Sequence, residues 1–309
     1  MKKETIIIGT RGSRLALWQA EWVRDRLGEE FPDMSVELSV IKTIGDKILD
    51  VPLAKIGGKG LFVKEIEEAL LSGRIDIAVH SMKDMPAELP DGLCIAAIPE
   101  REDPRDVFIS ANGKSLQDQR TGAVIGTSSL RRSSQVLHYR PDVGIIPLRG
   151  NLDTRLKKLD SGGMDAIILA AAGVKRLGMA DRISQVIPSD IILPAVAQGA
   201  LCIEARQEDE ETLSILSKLH HRKSALAVRA ERAFMRRLEG GCQVPIAALA
   251  GLDGKQLEIV GLVAEIDGSS LLKETVAGDI EHPEDAGLEL SQRLLDQGAG
   301  DIIQRLIDS

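Results

Sequence analysis

Seven arginines stand where apolar runs give way to helical segments: Arg11, Arg14, Arg131, Arg132, Arg149, Arg155 and Arg176. Open α/β sheets bind their ligands at the carboxyl ends of strands. Helix N-termini at those ends add N–H donors that favour anions. Ser13, Thr127, Ser128, Ser129 and Asn151 extend the donor set. Each charge-assisted hydrogen bond contributes about 1.5–3 kcal/mol, so several together decide affinity. In a chain of net charge −8, arginines gathered in this way point to a polyanionic ligand. The plainer alternative is a set of unrelated surface arginines.

Asp84 lies in the segment HSMKDMP, beside Lys83 and just after the apolar run at 75–79. A carboxylate at a strand's end can move protons or stabilise a cation. On spacing alone, an ion pair with a neighbouring Lys or Arg is the simpler explanation. Cys94 and Cys202 sit in apolar runs and read as small core residues. Cys242 differs, because Gly240, Gly241 and Pro245 surround it in a tight turn that presents one thiol. Such a thiol suits covalent attachment, and no neighbouring histidine supports a Cys–His nucleophile. Residues 56–62 (IGGKGLF) form a glycine-rich entry to a helix without the spacing of a phosphate-binding P-loop. They belong to a segment, from about 43 to 60, read as mobile and carrying Lys55 and Lys59, with Phe62 at its end. A merely solvated loop explains that segment equally well. The five histidines show no metal-ligand spacing, so no metal is expected.

The elements that must position these groups follow an alternating plan. Strands are expected at 5–10, 36–41, 75–79 and 93–98, with helices at 13–27 and 61–72 and Gly73 as a C-cap. After a charged, proline-bearing linker at 99–105, strands recur at 107–110, 123–126, 143–148 and 166–169, with helices at 130–138 and 152–160. This alternation predicts an α/β fold with largely parallel sheets. Two local similarities suggest a repeat: Ile8-Gly9-Thr10 with Ile125-Gly126-Thr127, and GRIDIAV at 73–79 with GGMDAII at 162–168. The offsets differ, so the second lobe is a shorter copy. The strand at 201–205 is a candidate to return to the first lobe. A long helix at 222–239, with Ser224 as its candidate cap, leads to antiparallel strands at 246–252, 256–265 and 271–276. The expected domains are 1–99 with 200–217, 105–195, and 222–309.

Composition narrows the classes. An acidic protein with 2% aromatic residues lacks both the basic footprint and the stacking platforms of a nucleic-acid binder. The apolar run at 6–8 is too short for a signal peptide, and no stretch reaches a membrane span. Three sparse cysteines argue for a reducing cytoplasm.

The motifs together resemble the porphobilinogen deaminase family. They are GTRGSRLALWQ at 9–19, GGKGLFVKE at 57–65, DIAVHSMKDMP at 76–86, GTSSLRR at 126–132, LRGNLDTRL at 148–156, LAAAGVKRL at 169–177, QGALCIE at 198–204 and GGCQVP at 240–245. The resemblance implies a transferase that joins four porphobilinogen units, releasing ammonia, into the linear tetrapyrrole hydroxymethylbilane. It implies a dipyrromethane cofactor held by a thioether to Cys242, with Asp84 as the key catalytic carboxylate. Cofactor contacts would come from Lys83, Asp84, Thr127, Ser128, Ser129, Arg131 and Arg132. Substrate contacts would come from Arg11, Ser13, Arg14, Lys55, Lys59, Phe62, Arg149, Asn151, Arg155 and Arg176. Porphobilinogen carries an acetate and a propionate, which accounts for cations on both lobes. Loss of ammonia leaves a cationic azafulvene that a buried carboxylate would stabilise. The implied fold is two α/β lobes of the type II periplasmic-binding-protein kind plus a smaller α+β C-terminal domain, in a monomer. The rival reading is a non-catalytic bilobal binder of polycarboxylates, in which the Cys242 loop would have no role.

Overall fold

The run TIIIGT forms the first strand, β1 (Thr5–Thr10), and sends Ile6 and Ile8 into a fully buried face. A computed structural model describes residues 3–44, 63–238, 244–254 and 256–307. It divides into two units, Met1–Glu102 with Ala200–Ala225, and Asp103–Gly199 with Leu226–Ser309. Among the described residues no helix is long and apolar enough to cross a membrane.

In the first unit, β1 joins β2 (Ser35–Val40), β3 (Ile77–Ser81), β4 (Leu93–Ala97) and β10 (Leu201–Arg206) in the order β2-β1-β3-β10-β4. Helix α1 (Arg14–Glu30) starts at its cap Ser13, whose Oγ accepts from Ala16 N at 3.3 Å. It lays Ala20, Val23 and Leu27 on the face made by Ile6, Ile8, Ile77, Val79 and Ile203. Helix α2 (Lys64–Leu71) covers the other face with Ile66, Ala69 and Leu70 against Ala78 and Leu93. With both faces covered, β1, β3 and β4 carry apolar runs at Ile6–Ile8, Ile77–Val79 and Leu93–Ala97, whereas β2 at the sheet edge alternates with polar residues. Gly73 follows α2 at φ +70°, the C-cap conformation expected of it.

In the second unit β5 (Asp106–Ser110), β6 (Val124–Gly126), β7 (Gly144–Ile146), β8 (Ala166–Ala170) and β9 (Gln185–Val186) stand in the order β7-β6-β8-β5-β9. Helices α3 (Leu130–Tyr139), α4 (Leu152–Asp160) and α5 (Ala171–Arg176) lie between them. The expectation of largely parallel sheets needs correction. β1 pairs parallel with β2 and β3, and β6 with β7 and β8, but β10 and β5 are antiparallel to both their neighbours. These two strands enter their sheets from long connecting segments without a crossover helix, so nothing enforces parallel pairing.

The repeat extends to single atoms. Gly9 pairs with Ala78 and Gly126 with Ile167 at the same point of each sheet. A Cβ on Gly9 would meet Ile75 Cδ1 at 2.3 Å, and one on Gly126 would meet Met164 Sδ at 2.7 Å. Asp76 accepts from Ile7 N at 2.8 Å, and Asp165 accepts from Val124 N at 2.7 Å.

Helix α6 (Glu210–Leu216), capped by Asp209, belongs to the first unit. Ser224 does not cap helix α7 (Arg222–Arg237), contrary to expectation, because the helix begins before it. Ser224 N instead donates to His221 Nδ1 at 3.4 Å, and its Oγ accepts from Arg101 N at 2.8 Å. An antiparallel sheet of β11 (Ile246–Asp253), β12 (Gln256–Ala264) and β13 (Leu271–Asp279) precedes α8 (Pro283–Asp296) and α9 (Ala299–Ile307). α8 lies so close to α7 that a Cβ at Gly287 would stand 2.2 Å from the Ala230 carbonyl oxygen.

Candidate functional site

The first unit places its chemistry at the carboxyl ends of β1 and β3. Arg11 is half-buried just after β1, and Arg14 is the exposed first residue of α1. Ser81 ends β3, and its Oγ accepts from Gln19 Nε2 at 2.9 Å. Met82 N donates to Ala200 O at 3.0 Å, and Met82–Asp84 form a single 3-10 turn. Lys83 is half-buried. The Asp84 carboxylate is exposed rather than buried as anticipated, because this short turn carries it out past the strand end. Among the described residues it makes no hydrogen bond or ion pair, so the simpler ion-pair explanation finds no partner here.

The second unit gathers its cations around one carboxylate. Asp106 opens β5 and is fully buried, while Arg131 and Arg132, in the first turn of α3, are each 6% exposed. Arg131 Nη1 donates to Asp106 Oδ2 at 2.7 Å and to Leu193 O at 2.8 Å. Arg132 donates to Asp106 Oδ1 from Nε at 3.0 Å and from Nη2 at 2.7 Å, and from Nη1 to Ile168 O at 3.0 Å. Gln198 Nε2 adds a donor to Oδ1 at 3.1 Å. Burial alone would raise Asp106, but the two guanidiniums overcome it and hold the group below the usual carboxylate range. Two guanidiniums on one carboxylate give the triad a formal net charge of +1.

The surrounding polar groups are mostly committed to backbone. Thr127 Oγ1 accepts from Ser129 N at 3.2 Å. Ser128 Oγ donates to Leu148 O and accepts from Leu148 N, both at 3.0 Å, tying the two loops together. Asn151 caps α4, its Oδ1 accepting from Thr154 N at 2.9 Å. Arg155 Nε donates to Gly150 O at 2.8 Å, and Arg149 is half-buried beside it. Arg176 departs from the expected pattern. It is the last residue of α5, not a residue at a helix start, and its Nη2 donates to Gly199 O at 2.7 Å. The backbone turns from β8 straight into α5, so the segment read as leading out of a strand is helical.

Cys202 is buried, whereas Cys94 is half-buried on β4 rather than fully in the core. Burial, then the charge of Glu204, pushes the Cys94 thiol up. Lys55, Lys59, Phe62 and Cys242 lie outside the described residues. Sequence reasoning missed Asp106 and Gln198. Asp106 falls between the linker and the apolar run at 107–110, and its only signal was an acidic residue opening a buried strand.

Residues 6–214 match the family model "Porphobilinogen deaminase, dipyromethane cofactor binding domain", and residues 225–296 match "Porphobilinogen deaminase, C-terminal domain". The porphobilinogen deaminase of Syntrophotalea carbinolica is 56% identical over 306 residues, covering 99% of this chain and 97% of that protein. That of Geotalea uraniireducens is 53% identical over 303 residues, covering 98% and 95%.

The chain belongs to the porphobilinogen deaminase family.

Among solved structures, the effector-binding domain of BenM aligns at TM-score 0.43 and 15% identity, covering 71% of this chain and 91% of that one. The periplasmic aliphatic sulphonate binding protein SsuA of Escherichia coli aligns at 0.42 and 14%, covering 77% and 71%. The two porphobilinogen deaminase matches break between 214 and 225, within the stretch that holds the start of α7.

Proposed function

We propose that this protein is a transferase that joins four porphobilinogen molecules, with loss of ammonia, into hydroxymethylbilane for tetrapyrrole and heme synthesis. One observation of the structure carries the reading: the buried Asp106–Arg131–Arg132 triad keeps a surplus positive charge at the strand ends of an acidic protein. A dipyrromethane bears carboxylates, and this surplus charge fits such a group. Arg131 and Arg132, with Thr127, Ser128, Ser129 and Lys83 as further donors, would hold it, and the Cys242 thiol would attach it. When bound, it supplies the primer pyrrole on which the tetrapyrrole is built.

The protein's own residues then do two kinds of work. Arg11, Ser13, Arg14, Arg149, Asn151, Arg155 and Arg176, with Lys55, Lys59 and Phe62, take the acetate and propionate groups of substrate. Planar guanidinium forks suit carboxylates better than point charges do. Asp84 handles the reacting centre. Loss of ammonia from porphobilinogen breaks the bond between the aminomethyl carbon and its nitrogen, and the nitrogen leaves with the electron pair. The carbon left behind is cationic, and a carboxylate without a partner among the described residues is placed to stabilise it. The same oxygens can accept the proton released when the attacking pyrrole carbon regains aromaticity.

We divide the protein into lobes 1–99 with 200–217 and 105–195, and a third domain, 222–309, that carries Cys242. We place it in the cytoplasm, as a monomer without nucleic-acid partners, which the acidic charge and sparse cysteines support. The test is purified protein supplied with porphobilinogen alone. Four ammonia molecules released per linear tetrapyrrole support the reading. Binding of porphobilinogen without ammonia release would favour the polycarboxylate binder.

A further inference from the structure

Beneath α2 lie three titratable groups that the proposed chemistry does not use. Glu67 on α2, His80 on β3 and Glu204 on β10 are 7%, 6% and 0% exposed. His80 Nε2 lies 3.1 Å from Glu204 Oε2 and donates to it, since a carboxylate only accepts. Oε1 of Glu67 and Oε1 of Glu204 are buried and unpartnered among the described residues. Burial, then the charge of Glu204, pushes Glu67 up to about 7 against a smaller pull from His80.

The other charged or titratable groups on the surrounding elements are accounted for. Cys94 on β4 senses Glu204. Arg206 on β10 turns away to Leu70 O at 2.8 Å, Ile75 O at 2.7 Å and Asp76. Glu65 on α2 accepts from Ile44 N at 2.9 Å, and Lys64 and Glu68 are exposed. β1 contributes none.

Position gives this cluster a consequence. His80 immediately precedes Ser81, which Gln19 holds from α1 on the opposite face. Consecutive residues at the end of β3 are therefore pinned from both sides of the sheet. The turn bearing Asp84 departs from that point, with Met82 N fixed on Ala200 O at 3.0 Å.

We propose that His80, held by Glu204 with the buried Glu67 above it on α2, is a positioning residue for Asp84, fixing the strand end from which the turn with the catalytic carboxylate departs. The proposal rests on Asp84 being that carboxylate. With Glu67 neutral, the cluster holds one carboxylate, bonded to His80. When Glu67 ionises, a second buried negative charge must be relieved, and the movement that relieves it loosens the end of β3. Turnover then declines as pH rises through about 7.

The experiment measures kcat and KM for porphobilinogen, with the cofactor-loaded enzyme, from about pH 6 to 9. His80→Leu is expected to lose about ten- to a hundredfold in kcat with KM nearly unchanged. His80→Gln, which keeps an N–H donor for Glu204, should recover most of it. Glu67→Gln keeps the shape of the neutral acid. It should match the unmodified enzyme near pH 6 and lack its decline above 7. If His80→Leu does not fold, the Glu67→Gln profile still decides. A Glu67→Gln profile that superimposes on the unmodified one, or a His80→Gln no better than a folded His80→Leu, overturns the proposal. Asp84→Asn is measured alongside. If it is inactive while Glu67→Gln is unaltered, the positioning role alone fails. If it turns over normally, the reading of Asp84 fails and the proposal with it.

Discussion

Asp106 and Arg132 share two hydrogen bonds, at 2.7 and 3.0 Å, with Asp106 fully buried and Arg132 6% exposed. Arg131 takes the other carboxylate oxygen. This arrangement commits two donors of Arg131 and three of Arg132 before any ligand arrives, yet keeps their summed charge above that of Asp106. Breaking a buried pair by removing one partner costs about 3–5 kcal/mol, because the remaining charge is uncompensated. Asp106→Asn should therefore lower the melting temperature by roughly 10 °C. Asp106 is depressed in the folded state, so its contribution is present above the unfolded carboxylate range and is lost as pH falls through and below it. Thermal melts from neutral pH to pH 3 check this, and an Asn variant within two degrees of the unmodified protein would sink the assignment.

The arginines should separate by role. Replacing Arg131 or Arg132 by Leu should leave protein without its covalent cofactor. Arg11→Leu or Arg155→Leu should keep the cofactor and raise KM or stall elongation. Lysine in place of any of these should rescue only in part, since the bidentate fork is lost. Intact-protein mass reports cofactor loading, and steady-state kinetics reports the rest. Full activity of every Leu variant at low substrate would remove the anion-site argument.

Glu67 makes a prediction about stability that is independent of turnover. Its folded value, about 7, lies above the ordinary 4.5, so the folded protein holds this proton more tightly than the unfolded chain. The stability it contributes is fully present below 4.5 and is lost as pH rises through about 7. The loss amounts to at most about 3 kcal/mol, or several degrees. The melting temperature should fall between pH 5 and 8, and Glu67→Gln should flatten that fall. An equal fall in the Gln variant would assign the slope to other groups.

Asp84 separates chemistry from binding. Asp84→Asn keeps shape and removes charge, so turnover should drop by about 100- to 1000-fold while the cofactor stays attached and the melting temperature holds. Asp84→Glu keeps the charge one methylene away and should retain some activity, trapping partly extended products visible by mass. Near-normal turnover in the Asn variant would leave the mechanism without its acid–base group.

How far these features could be read from the sequence depends on whether the demand on them was local. Asp76 and Asp165 do the same job, each accepting a backbone N–H from an equivalent strand of its lobe, β1 and β6. Gly9 and Gly126 both make room for the side chain next to that aspartate. Equal local demands leave equal residues, so the repeat is visible in the sequence itself. Ser13 and Asn151 were also legible positions, but they serve as helix caps through short-range hydrogen bonds. Asp106, Gln198 and the Glu67–His80–Glu204 cluster were not legible. Their partners lie far along the sequence, as with His80 and Glu204, and no spacing rule brings such residues together. The reversal of β5 and β10 was hidden for the same reason, since an apolar run carries no sign of its direction in a sheet.

The central claim is that the tetrapyrrole grows on a primer joined to Cys242 of this protein. Intact-protein mass of the purified active enzyme tests it most directly, beside the Cys242→Ser variant. The account predicts an excess over the sequence mass equal to two pyrrole units in the unmodified enzyme. It predicts further stepwise increments on brief exposure to porphobilinogen, and the bare sequence mass in folded Cys242→Ser. A bare mass in the active enzyme, or a dipyrrole still bound covalently to Cys242→Ser, would contradict it.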